Sequence, residues 1–348
     1  MTKVGIIANP AASKDIRRLV AQGRVIPDWE KVNIVRRVLL GLQAVGVEQV
    51  VAMPDGSHLC QRARDDSQLH VDLSLLEMPT YFTEGDTIRA AGMMAQEGVT
   101  CLVTLGGDGT NRAVACGSST IPVVPISTGT NNVFPQMVEG TLAGLVAGLV
   151  ASGKLLPDWV SVTSKTLAVY VDNEYRDLAL VDVALSRERY VATRAIWDLS
   201  TLYEVFLTRA EPAAIGLSSV GARLQHISLS DAGGLRYVLA GRNASPDGEP
   251  GQSTETQGMS HGAGQSTVLA PVAPGMVAEV HIASWARLAE GERVEVERRH
   301  STIALDGERA LTVTPQQKVE ISVQRNGPPV VQVERALQVA AELGLFRR

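Results

Sequence analysis

Residues 1–150 alternate short apolar runs with stretches of helical spacing, and this rhythm restricts the chain more than any other feature of it. The runs fall at 4–8, 47–53, 101–105 and 123–126, and the helix-period segments at 32–44, 87–96 and 142–150. A short strand that is apolar along its whole length needs cover on both faces, and strands separated by helices pair in parallel. The expectation for residues 1–155 is an α/β domain built on a Rossmann-like, doubly wound sheet. Residues 54–79 fit the rhythm poorly and read as an irregular insertion.

After Pro157 the rhythm changes. Runs at 167–171 and 175–183 flank Asp172-Asn173-Glu174, a polar turn of the kind that closes an antiparallel hairpin. Further strands are predicted at 224–229, 235–240, 277–283, 293–297, 301–305 and 319–323, with one amphipathic helix near 195–208. Residues 156–328 are thus expected to form a β-rich, sandwich-like second domain. Within it, 241–264 is rich in Gly, Ser, Pro and Gln and can bury little surface, which suits either a lid over a substrate or an excursion without function. Residues 329–348 carry a helical pattern that stops at Gly344, and packing against the first domain would cover its apolar face.

Several classes of function are disfavoured. A net charge of −5 with only 4% aromatic residues lacks the footprint of a nucleic-acid binder. Arg287, Arg293, Arg298 and Arg299 alternate with Glu290, Glu292, Glu295 and Glu297, which describes a solvated mixed-charge face rather than a phosphate clamp. Cys60, Cys101 and Cys116 have no metal-type spacing, and neither do His58, His226, His261, His281 and His300. Reduced thiols and the lack of a signal-type leader point to the cytoplasm. The most apolar helical stretch, 141–151, is interrupted by Gly144 and Gly148 and is too short to span a bilayer.

The chemistry is concentrated where the run at 101–105 passes into Gly106-Gly107-Asp108-Gly109-Thr110-Asn111. Glycine at the carboxyl end of a strand lets main chain approach a phosphate, because no Cβ intervenes and positive φ is open to it. The helix that follows aims its first N–H groups at the anion. An acid inside such a turn repels phosphate unless a divalent cation or a mobile proton lies between them. Asp108 is therefore a candidate for holding Mg²⁺, for orienting an acceptor hydroxyl, or for acting as its base. A second turn, Ser127-Thr128-Gly129-Thr130-Asn131-Asn132, follows the next strand, and Asn9-Pro10 ends the first. Consecutive strands of a doubly wound sheet end on one side, so the three turns are expected at one crevice. Asn9, Pro10, Gly106, Gly107, Gly109, Thr110, Asn111, Thr128, Gly129, Thr130, Asn131 and Asn132 are the candidate nucleotide-binding residues; taken alone, Asn9-Pro10 also suits an ordinary turn. No Walker-type Gly-Lys-Ser/Thr loop occurs, and no spaced-glycine dinucleotide fingerprint follows 4–8.

The Gly-Gly-Asp-Gly-Thr turn, Asn9-Pro10, Gly129-Thr130-Asn131-Asn132 and the late Asp306-Gly307-Glu308 together resemble the NAD kinase and diacylglycerol kinase superfamily. Within it the chain looks most like the ATP-NAD kinase-like proteins that include acetoin catabolism protein X. The resemblance implies an ATP-dependent phosphotransferase using Mg²⁺, with NAD or a related small metabolite as acceptor, and by analogy a homo-oligomer. It implies that Asp108 serves catalysis or organises metal and that the two glycine turns line the nucleotide crevice. Glu308 would be a second catalytic group, although Asp306-Gly307 between two strand-like runs also reads as a plain hairpin. Two departures stand out. The Gly-Ser-Thr-Ala-Tyr stretch usual in NAD kinases has no counterpart beyond Ser218-Ser219-Val220-Gly221, and Asn132 stands where lipid kinases carry Asp. A nucleotide-binding regulator without turnover and a lipid kinase are the alternatives.

Overall fold

The structure, a computed structural model, describes residues 2–12, 21–65, 68–188, 198–240 and 262–347. These fall into two compact units, one holding the described parts of 24–164 and 326–348 together with the first strand, the other those of 165–325.

The first unit is a parallel sheet covered on both faces. Strands β1 (Lys3–Ala8), β2 (Gln49–Ala52), β3 (Asp72–Leu75), β4 (Cys101–Gly106) and β5 (Val123–Ser127) lie in the order β3-β2-β1-β4-β5. The sheet is extended beyond β5 by β18 (Pro329–Val331) and β6 (Ser161–Thr163). The chain winds outward from β1 to β3, then crosses back to β4 and continues the other way, so winding reverses between β1 and β4. Their register, Val4↔Cys101 through Ala8↔Leu105, brings both carboxyl ends to the same edge.

Helices α1 (Asp28–Ala44), α2 (Leu59–Arg64), α3 (Glu84–Gln96), α4 (Asp108–Gly117) and α5 (Gly140–Ala151) connect these strands; α6 (Pro157–Val160) and α8 (Val333–Glu342) complete the layer. Helix α5 packs on α1 by close backbone approach: a Cβ on Gly144 would overlap the Val38 carbonyl, and one on Gly41 would overlap that of Thr141. The glycines that break up the apolar stretch 141–151 are thus the contact surface of a buried helix, and among the described residues no helix is long and apolar enough to cross a membrane. Helix α8 packs on α5 and α6, with Ala336 and Ala340 buried in the same core as Val4, Val35 and Val146.

The second unit is antiparallel. Its larger sheet runs β12 (Gly262–Ala273), β13 (Met276–Leu288), β11 (Gly234–Leu239), β10 (Leu202–Leu207), β9 (Asp182–Ser186), β15 (Ser301–Leu305), β16 (Glu308–Val313). The smaller runs β14 (Arg293–Glu295), β17 (Val319–Gln324), β7 (Thr166–Val171), β8 (Glu174–Ala179). Side chains of both sheets, among them Leu167, Ile321, Phe206 and Ile303, share one core, as in a sandwich. Helix α7 (Leu217–Leu224) covers the opposite face of the larger sheet. The first hairpin turns through Asp172 and Asn173, both at positive φ, as a two-residue turn between Val171 and Glu174 requires.

Four expectations need correction. The supposed insertion at 54–79 contains α2 and β3, which is short, lies at the sheet edge and carries Asp72 and Ser74, so its apolar signal is weak. The described part of the helix placed at 195–208 is a single 3₁₀ turn followed by β10, whose six residues are all buried; burial on both faces removes the alternation that marks a strand. The run 175–183 is not one strand but two, β8 and β9, which belong to different sheets. The strand placed at 224–229 begins on the last residue of α7 and contains only an isolated bridge at Ile227. Of the segment 241–264, residues 241–261 lie outside the described residues.

Candidate functional site

The three turns meet at the carboxyl edge of the parallel sheet, where the winding reverses and open α/β sheets bind their ligands. Strand β1 hands over to Asn9, whose N–H donates to the Leu105 carbonyl at 2.9 Å and whose Nδ2 donates to Thr110 Oγ1 at 2.9 Å. The Asn9 Oδ1 turns back to accept from the Ala11 N–H at 2.9 Å. Below this turn the fully buried Lys31 on α1 donates through Nζ to the carbonyls of Pro10 (2.7 Å) and Ala12 (2.9 Å), with that of Asn9 at 3.4 Å. An ammonium inside the core is tolerated because main-chain acceptors replace its water, assisted by Asp28 at 3.9 Å. Lys31 supports the turn after β1 from below, and the sequence reading missed it; its signal was a lone cation on the apolar stripe of α1.

The glycine turn has tight local reasons for its glycines. A Cβ on Gly106 would overlap the side chain of Thr110, and one on Gly107 would come 2.8 Å from Asn132 Oδ1. Asn132 Nδ2 in turn donates to Ser127 Oγ at 2.8 Å, and Ser127 Oγ donates to the Gly129 carbonyl at 2.9 Å. Thr104 Oγ1 donates to Asn111 Oδ1 at 2.7 Å, and Asn111 Nδ2 to the Gly107 carbonyl at 2.8 Å, which fixes the angle at which α4 leaves the strand.

Asp108 closes the assembly. Its Oδ1 accepts from the N–H groups of Val133 (3.0 Å) and Phe134 (2.8 Å), and its Oδ2 from Val133 at 3.1 Å. The turn after β4 is therefore clasped to the loop after β5, and Thr128 N–H adds a bond to the Gly106 carbonyl at 3.2 Å. A carboxylate at the first position of a helix is also favoured by the helix dipole. The charge that looked misplaced beside a phosphate faces backbone donors of the neighbouring loop.

What remains for a ligand is main chain and oxygen. The N–H groups of the first turn of α4 lack intrahelical acceptors, as at any helix start, and a helix start suits an anion. Thr128 is fully buried, yet its Oγ1 has no hydrogen-bond partner, and Asn131 Oδ1 is buried without one as well. Orphaned buried oxygens of this kind call for a ligand, a water or a cation. Both are hard donors suited to Mg²⁺, which keeps most of its water and needs few protein ligands besides substrate phosphates. Among the described residues no group of three or more His, Cys, Asp or Glu is placed to hold a metal, so only that sparse mode fits here. Pro10 and Thr130 stand in the same turns as Asn9 and Asn131; Gly109 lies in the first turn of α4.

In the second unit, Asp306 and Gly307 lie at φ 50° and 80° and join Leu305 to Glu308 as a two-residue hairpin turn. The buried Asp306 carboxylate accepts from the N–H groups of Leu180 (2.9 Å), Val181 (2.7 Å) and Asp182 (3.2 Å). It thereby pins the point at which the chain leaves β8 for β9. Glu308 is exposed at the start of β16.

Residues 4–154 match the ATP-NAD kinase N-terminal domain, and residues 165–326 match the acetoin catabolism protein X C-terminal domain. Acetoin catabolism protein X of Cupriavidus necator is 36% identical over 356 residues, covering 99% of this chain and 94% of that one. A diacylglycerol kinase structure from Bacillus anthracis str. Sterne aligns over 95% of this chain and 96% of its own, at 12% identity and a TM-score of 0.44. With the NAD kinase-type turns in one unit and the acetoin catabolism protein X domain in the other, the chain belongs to the acetoin catabolism protein X family of the NAD kinase-like superfamily.

Proposed function

We propose that this protein is an ATP-dependent phosphotransferase that binds the phosphate chain of ATP between the turns after β1, β4 and β5 and phosphorylates an alcohol, NAD or a related small metabolite. The observation that carries this reading is the clasp: Asp108 bonds the glycine turn to the Val133–Phe134 backbone, so that two turns and the start of α4 form one preorganised rim. Preorganised donors stabilise charge that develops during transfer without reorganising, which is most of what phosphoryl transfer asks of a protein.

In this scheme Asp108 is a positioning residue, Asn9 and Thr110 hold the β1 turn against the β4 turn, and the Thr128 hydroxyl donates to a phosphate oxygen. Thr128 Oγ1 and Asn131 Oδ1 would face Mg²⁺ or its water, and the ion, when bound, neutralises phosphate charge. Glu308, an exposed carboxylate of the second unit, is the other candidate for acid–base work. We place the protein in the cytoplasm, where the thiols of Cys60, Cys101 and Cys116, none of them in a disulfide, stay reduced, and expect a homo-oligomer. Incubation with γ-labelled ATP, Mg²⁺ and a panel of NAD, NADH, diacylglycerol and a metabolite extract tests the reading: label is expected on a soluble acceptor, and label on diacylglycerol alone would move the protein to lipid kinases.

One observation favours a second reading. A carboxylate occupied by backbone donors is poorly free for acid–base work, and this suits a nucleotide-binding regulator that has lost turnover. Tight ATP binding with no labelled product across the panel would select it.

A further inference from the structure

Among the described residues the three most exposed aromatic side chains are Trp29 (61%), Tyr81 (65%) and Phe82 (74%). All three lie at the carboxyl edge of the parallel sheet: Trp29 in the first turn of α1, Tyr81 and Phe82 just before α3. A chain of contacts joins them. Asp28, beside Trp29, accepts from Ser57 Oγ at 2.8 Å. Gly56, beside Ser57, faces the Phe82 ring so closely that a Cβ there would lie 3.0 Å from Cε1. The Asp86 carboxylate holds the loop by accepting from the N–H groups of Tyr81 (2.9 Å) and Thr83 (3.2 Å). Arg89 lies 5.5 Å from the Tyr81 ring centre.

This loop is tied to the phosphate rim. Glu84, two residues past Phe82, pairs with Arg112 on α4, one turn beyond Asp108. Phe82 itself sits at φ 57°, in the left-handed region that bulky residues avoid. The strained backbone earns no core packing, because it directs the ring to water. Strain of this kind collects at ligand-binding positions.

We infer that Phe82, with Trp29 and Tyr81, forms a stacking platform for the planar heteroaromatic base of the ligand whose phosphates lie at the glycine turns. The inference rests on the phosphate reading above and adds a base subsite to it. The rings together offer roughly 400 Å² of exposed surface, about half of the ~800 Å² that each partner gives to a stable protein interface. That size suits a nucleobase better than a second chain.

Calorimetry on the full chain with ATP and with inorganic tripolyphosphate separates the base from the phosphates. Phe82→Ala and Trp29→Ala are each expected to weaken ATP about five- to tenfold, the low end for base–aromatic stacking, while tripolyphosphate affinity stays within about twofold. Phe82→Trp should restore ATP affinity, and unchanged melting temperatures would show that these exposed positions leave folding intact. Equal weakening of both ligands, or of neither, overturns the platform alone. Failure of the wild type to bind either ligand removes the phosphate reading and the platform with it. A dimer in light scattering that dissociates on Phe82→Ala would assign the rings to contact between copies and also overturn the proposal.

Discussion

Replacing Asp108 by Asn tests whether this carboxylate is a clasp or a chemical group. In the wild type two N–H donors, those of Val133 and Phe134, point at an ionised acceptor over 2.8–3.1 Å. An amide oxygen in the Oδ1 place still accepts from both donors but without the charge, and the NH₂ that replaces Oδ2 turns a hydrogen bond from Val133 into a donor–donor contact. Such a loss costs about 1.5–3 kcal/mol. At roughly 2–4 °C per kcal/mol, the melting transition of the parallel-sheet unit should fall by about 3–12 °C. Hydrogen exchange read at Val133 and Phe134 should speed up together, and ATP affinity should drop because the two turns separate. Asp108→Ala should do all of this more severely. The reasoning is refuted if Asp108→Asn melts within about 1 °C of the wild type, keeps protection at both amides and binds ATP normally while losing turnover. That pattern would make the side chain a participant in the reaction itself.

Four further outcomes are expected. Gly144→Ala drives a methyl into the Val38 carbonyl, and the forced separation of α1 and α5 should cost about 1–3 kcal/mol in urea unfolding. Asp306→Asn removes the charge from the acceptor of all three N–H groups and sets an NH₂ where Oδ2 accepts from Leu180, so the second unit should lose about 1.5–3 kcal/mol while tripolyphosphate binding persists. Burial holds the Cys101 thiol up at about 12 and raises that of Cys60 further, against an ordinary value of 9.0. Both thiols therefore keep their protons in the folded protein when the unfolded chain has released them. Their contribution is fully present below pH 9 and is lost as pH rises from there toward 12; unfolding midpoints measured across that range should fall, less so in Cys101→Ala. Native alkylation at pH 8 should then label the exposed Cys116 alone.

The parallel sheet was legible because β1, β4 and β5 are buried on both faces and their apolar runs end abruptly in Asn-Pro, Gly-Gly and Ser-Thr-Gly. The same property hid β10, since six consecutive buried residues satisfy a helix pattern as well as a strand. The glycine turns could be located from composition, but not their fastenings. Asp108 binds main-chain N–H groups, which any residue but proline would supply at 133 and 134, so nothing in the sequence marks them. Lys31 likewise reaches carbonyls rather than side chains. Asp306-Gly307 had been open between hairpin and catalytic motif; it is a hairpin turn, and its acid is committed to three backbone donors, which leaves Glu308 as the exposed carboxylate of the motif.

The return of the chain to its first sheet has a consequence during synthesis. Strand β18, which covers the edge of β5, is encoded after the whole of 165–325. A ribosome adding about 5–20 residues per second needs on the order of 10–30 s to produce that stretch. Throughout the interval the nascent sheet carries a bare, apolar hydrogen-bonding margin, a template for pairing with neighbouring chains. Premature stops anywhere between 165 and 328 should accordingly yield aggregates instead of a soluble half-protein.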